Sequence, residues 1–180
     1  MCAMDLPGFD RPLEMIRQTH RRLEQRCALM DRLADHLRES GCDADAQATA
    51  GHIVRFFDDE MARHHEDEER DFYDAVIEAA PAKSRNAITD LVTVLRAEHE
   101  KMHNIWREEL RPQLMEVMAG RSASLDKAAV DRCHILHVNH LNREEGELMP
   151  IAEEQLSPER IERLGRSMAE RRNQHYPGDA

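Results

Sequence analysis

Three pairs of side chains in this sequence have the spacing that lets one helix face hold a metal ion. His64-x-x-x-Glu68 and His140-x-x-x-Glu144 each put an imidazole and a carboxylate one helical turn apart, and His99-x-x-x-His103 does the same with two imidazoles. His20 supplies one more imidazole. Burying such groups unpaired would cost several kcal/mol, on the order of 2–7 for a polar group. A bound cation removes that cost by taking up the lone pairs and offsetting the charge. The set has five nitrogen donors, two carboxylates and no thiolate. Its character is intermediate to hard, which suits iron and leaves Zn or Mn as substitutes. Seven ligands are more than one ion uses. If both carboxylates and one solvent oxygen (oxo or hydroxo) bridge two ions, the donor bonds come to eleven, one short of two octahedra. One position then stays open for a small diatomic molecule, and the positive charge of a diferric pair would also attract small anions.

Helices must position these groups. Leu13, Ile16, His20, Leu23, Cys27, Met30, Ala34 and Leu37 recur at the 3-4 spacing of a bundle helix. Similar stripes hold Ile53, Phe57, Met61, His64, Glu68 and Phe72, then Ile88, Val92, Leu95, His99 and Met102, then Val130, Cys133, His137, His140, Glu144 and Leu148. Every long stripe is interrupted by His or Glu about midway, so four antiparallel helices would bring the interruptions to one level. Asp10 with Pro12 opens the first helix and Gly41 closes it. The second runs from about Asp45 to Pro81, and the third from about Ser84 to Gly120 with a kink expected at Pro112. Ser124 is a candidate cap for the fourth, and Ser157-Pro158 starts a fifth. The reading is one all-α domain over 1–180: an up-down four-helix bundle at about 11–156 with a short additional C-terminal helix at about 158–172.

The composition agrees: 41% hydrophobic, 34% charged and only 4% aromatic, with a formal net charge of −11. That charge argues against nucleic acid and anionic membranes as partners. No apolar stretch reaches a membrane span, and MCAMDLPGFD lacks the basic and apolar regions of a signal peptide. Cys2, Cys27, Cys42 and Cys133 form no C-x-x-C pair, as expected of a reduced cytoplasmic protein.

In the stretches IRQTHRRL, MARHHEDEERDFY, LRAEHEKMHNIW and HVNHLNREEGELMPIAE, the chain resembles the hemerythrin and HHE cation-binding domain family, here in its bacterial form. The resemblance implies a hemerythrin-like bundle with a di-iron centre whose ligands fall on His20, His64, Glu68, His99, His103, His140 and Glu144. It further implies that His99, His103 and His140 hold the six-coordinate iron, and His20 and His64 the iron with the vacancy. Glu144 follows His140 by four residues, as in bacterial and regulatory members, where animal hemerythrins place an Asp at five. In the second helix His65-x-x-x-Glu69 has the same spacing as His64-x-x-x-Glu68. The His64 register matches the family form H-x-x-x-E-E-x-x-L-F and falls on the stripe of Phe57 and Met61.

A ferritin-like centre would need two Glu-x-x-His motifs, and only Glu100-Lys-Met-His103 fits. His134 and His137 read as core, outer donors or surface, and His36, His52 and His175 as exposed. The expected function is binding or sensing of O2 or NO, a sensor acting through an unidentified protein partner. The alternative is an enzyme handling peroxide or NO, or an iron donor in repair of iron–sulfur centres. Ile16, Leu23, Phe57 and Met61 are expected to give the vacancy an apolar lining.

Overall fold

The computed structural model describes residues 7–179; Cys2, with the rest of 1–6, and Ala180 lie outside the described residues. Among the described residues there is no strand. The first helix is Pro12–Ser40. The second spans 44–79, the third 85–118, the fourth 127–155, and a fifth, Pro158–Arg171, closes the chain. The fold is an all-α, hemerythrin-like bundle plus a C-terminal helix. The first helix packs on the second and fourth, and the third also packs on both the second and the fourth. The fifth lies across the first and second. None of these helices is long and apolar enough to cross a membrane.

Helix ends follow local chemistry. Asp43 caps the second helix by accepting from the Ala46 N–H at 2.8 Å, and Ser157 caps the fifth by accepting from Arg160. The fourth is capped by Asp126, which accepts from the Ala128 N–H at 2.9 Å. The expected cap, Ser124, instead hydrogen-bonds with Ser122 in the preceding turn. Gly41 ends the first helix at φ +79°, a conformation glycine adopts without strain.

Three of the long helices widen into π-helical turns, at Phe56–Met61, Glu68–Phe72, Ile105–Leu110 and Glu144–Leu148. Pro112 and Pro150 each stand two residues beyond such a turn. A proline lacks the N–H that would bond to the preceding turn and its ring crowds a carbonyl there. The wider turn accommodates both, so the third helix continues through Pro112. Two of the four π turns begin at Glu68 and Glu144, the carboxylates singled out by spacing. Such turns are concentrated at functional sites.

The core divides in two. One cluster contains Leu23, Cys27, Met30, Ile53, Phe57, Leu110, Leu114 and Val130. The other contains Ile16, Phe72, Val76, Val92, Leu95, Leu148 and Met168. Between them runs a buried polar layer of His20, His64, His65, Glu68, His99, His140 and Glu144. The two clusters supply the apolar burial that holds the layer in place, at roughly 25 cal/mol per Å². The fifth helix is clamped by Asp67, a buried carboxylate that accepts from Arg171 Nε at 2.7 Å and Arg172 Nη2 at 2.7 Å.

Candidate metal centre

Each long helix contributes an imidazole to the polar layer, the second both His64 and His65, and the second and fourth add Glu68 and Glu144. Glu68 Oε1 lies 3.0 Å from His64 Nε2 and 3.5 Å from His20 Nε2. Its other oxygen, Oε2, lies 3.4 Å from His99 Nε2. Glu144 Oε2 stands between His20 Nε2 at 3.3 Å and His140 Nε2 at 3.5 Å. His99 and His140 bring their Nε2 atoms to 3.1 Å. Three overlapping triads result, each with donor atoms within 4.8 Å of one another: His20–His64–Glu68, His65–Glu68–His99 and Glu68–His140–Glu144.

Both carboxylates are fully buried, and Glu68 Oε2 and both Glu144 oxygens lack a hydrogen-bond partner. Buried charged oxygens without donors are expensive, and a cation in the layer would satisfy them. Electrostatics agree. Burial opposes charge on His20 and His140, yet the carboxylates that face them outweigh it: Glu144, Glu145 and Glu68 at His20, and Glu144 and Glu98 at His140. His20 is raised well above its ordinary value and His140 to about 9. Glu144 is held well below the usual carboxylate range: burial acts against ionisation, but His140 and His20 prevail. In the metal-free protein, protons on imidazoles thus stand where metal charge would stand. Metal binding would release them.

Outer carboxylates aim the rings. His20 Nδ1 is 2.6 Å from Glu145, His99 Nδ1 is 2.7 Å from Glu69, and His140 Nδ1 is 3.2 Å from Glu98, which also pairs with Arg143. A carboxylate on one ring nitrogen fixes the tautomer and presents the other as a lone pair. Spacing did not single out Glu98 or Glu145, and it offered Glu69 only as the alternative partner of His65. Their signal is adjacency, since each sits next in sequence to a residue of the layer.

Of the seven residues selected by spacing, six converge: His20, His64, Glu68, His99, His140 and Glu144. His103 does not. It is exposed, and its Nε2 lies 2.9 Å from Nδ1 of the buried His65. The His65 ring stacks on His99 with centroids 3.9 Å apart. Glu68 is in the layer, while Glu69 bonds the outer edge of His99. A further side chain reaches the layer unannounced by spacing: Tyr73, whose hydroxyl is 3.4 Å from His99 Nε2.

Two cavities approach from different sides. One of about 340 Å³ is walled by Phe57, Met61, Met102 and Trp106 and reaches His65, His103 and His137. The other, about 230 Å³, reaches His64 past Thr19, Arg22, Glu60 and Arg63. The apolar residues expected together around one vacancy are therefore divided. Phe57 and Met61 face the first cavity, Ile16 lines the second, and Leu23 packs in the core.

Fold and layer together define a helical-bundle metal-binding protein. The family model of the hemerythrin HHE cation-binding domain matches residues 11–152, and the chain belongs to that family. It is also 27% identical over 164 residues to an uncharacterized protein of Haemophilus influenzae, covering 91% of both chains.

Proposed function

We propose that the polar layer holds two iron ions and that the centre binds or senses a small diatomic molecule, O2 or NO, with small anions as competing ligands. The observation that carries this reading is the placement of Glu68, whose two oxygens face different histidines: Oε1 toward His20 and His64, Oε2 toward His99. A carboxylate so placed suits two cations better than one. Glu144, close to both His20 and His140, fits the same role. His20 and His64 would hold one ion, His99 and His140 the other, with both glutamates shared. Imidazole and carboxylate donors without thiolate favour iron, with Zn or Mn as substitutes.

The bound pair would supply Lewis acidity and a change of oxidation state. The chain supplies the rest: carboxylates that hold the imidazoles in the liganding tautomer, and two core clusters that keep bulk water from the layer. The cavity beside Phe57, Met61 and Trp106 gives an apolar approach suited to an uncharged diatomic. We place the protein in the cytoplasm, acting through a protein partner if it is a sensor. Reversible binding ranks ahead of peroxide or NO turnover and of iron donation.

The test is metal analysis of protein purified without a metal-affinity tag, with absorption spectra in air, after anaerobic reduction and after NO. Two irons per chain and a spectrum that changes reversibly with NO are expected. One metal per chain, or colourless zinc protein from iron-rich medium, contradicts the two-iron reading. Rapid NO or peroxide consumption without an accumulating adduct would favour the enzyme instead.

A further inference from the structure

Tyr73 is fully buried, and its ring stacks on His99 with centroids 5.9 Å apart at 24°. Its hydroxyl is 3.4 Å from His99 Nε2. His99 Nδ1 is engaged by Glu69 at 2.7 Å, so Nε2 carries the lone pair toward which the phenol points. A metal at His99 must use that same lone pair. The phenol then loses the His99 acceptor inside a dry core, where an unpartnered hydroxyl is unfavourable. The groups that remain around the oxygen are the carboxylates of Glu68 and Glu144, of which Glu144 is within hydrogen-bonding reach, and both are also turned to the metal positions.

The donor count points the same way. With His103 exposed and hydrogen-bonded to His65, the ion at His99 and His140 lacks the third nitrogen that the family resemblance implied for it. The phenol oxygen is the further donor that this layer brings to His99.

We propose that Tyr73 ligates the ion held by His99 and His140 through its phenolate oxygen, in the place that the family resemblance implied for His103. The step is deprotonation and coordination at an unfilled position, without redox change. The phenol O–H bond breaks, its proton leaves to solvent, and the oxygen pair forms a bond to ferric iron. The anionic oxygen lowers the net positive charge of the centre and favours the ferric state. The inference rests on the two-iron reading above.

The test is resonance Raman and visible absorption of the ferric, iron-loaded protein, with iron counted in every sample. A phenolate-to-iron charge-transfer band in the visible, with tyrosinate ring vibrations enhanced within it, is expected in the wild type. Tyr73→Phe keeps the ring packing, and circular dichroism will verify its fold. It should retain two irons and lose the band, while His103→Ala retains both. Two irons without a tyrosinate signature, or an unchanged spectrum in Tyr73→Phe, overturns the proposal. So does a ligand loss seen in His65→Ala and absent in Tyr73→Phe, which gives the place to His65. Fewer than two irons in the wild type instead defeats the reading on which the proposal rests.

Discussion

His137 offers a perturbation whose size follows from the structure. It is buried one turn before His140, and its Nδ1–H donates to the Cys133 carbonyl at 2.7 Å. Burial is the main cause that lowers its pKa from 6.5 to about 4; the Cys133 bond opposes the shift, and His140 and His99 add to it. At about 1.4 kcal/mol per pKa unit, that drop corresponds to about 3 kcal/mol between the two protonation states. The unfolded chain binds the proton more readily, so stability rises with pH across this interval. The contribution is fully present above about pH 6.5 and is lost as pH falls toward about 4. At about pH 4.5 roughly 2.5 kcal/mol should be gone. Asn at this position can reproduce the Nδ1–H donor and does not titrate. Urea unfolding of metal-free wild type and His137→Asn, followed by circular dichroism at neutral pH and at about pH 4.5, isolates the contribution of His137. Other groups, His65 among them, titrate in both proteins, so the quantity of interest is the difference in slope. The variant should lose less stability on acidification by about 2 kcal/mol, whatever its stability at neutral pH. Equal losses in the two proteins would refute the assignment of a neutral, buried His137.

Removing the metal should lower the melting temperature, because ions bound to the folded state return free energy to folding: about 4 kcal/mol at a thousand-fold excess over Kd, or about 8–16 °C for a chain of this length. Calorimetry before and after chelation, with metal loss verified, measures this, and superimposable curves contradict it. Glu69→Gln should keep the fold but weaken metal binding roughly 10–100-fold through His99, whereas His64→Ala or Glu68→Ala should lose one metal or both. Metal titration separates the outcomes; loss of metal from Glu69→Ala with retention in Glu68→Ala would shift the second-helix register by one. Asp67→Asn leaves the guanidinium groups of Arg171 and Arg172 without their buried carboxylate. A loss of about 3 kcal/mol, with faster hydrogen exchange in the fifth helix, is expected, and unchanged exchange there would argue against Asp67 as the clamp.

Five helices, their order and the level at which polar groups meet were legible in the sequence because each is a local matter. Apolar residues at 3-4 spacing mark a buried stripe, and His20, Glu68, His99 and Glu144 interrupt stripes whose other members are Ile16, Met61, Leu95 and Leu148. Prolines and helix-capping residues punctuate the chain to within a few residues. Ser124 was the wrong cap because Asp126, two residues on, offers a charged acceptor closer to the helix.

What crosses between helices was not legible. His99 and His103 share a face by spacing, but the bundle buries Met102 and leaves His103 at the rim. His64 and His65 both become buried, because the second helix is covered on more than one side and is widened by π turns that shift its faces. No spacing set Glu98 or Glu145 beside an imidazole and Glu69 was paired by spacing with His65, and only the neighbouring helix shows each beside an imidazole Nδ1. No spacing marked Tyr73, and only packing aims its hydroxyl at His99. The spacing of ligands along one helix is set by covalent geometry and hydrogen-bonded turns, which a sequence states directly. The partner that a side chain meets across the layer depends on helix rotation and separation to within an ångström or two, and these emerge only when all five helices pack together.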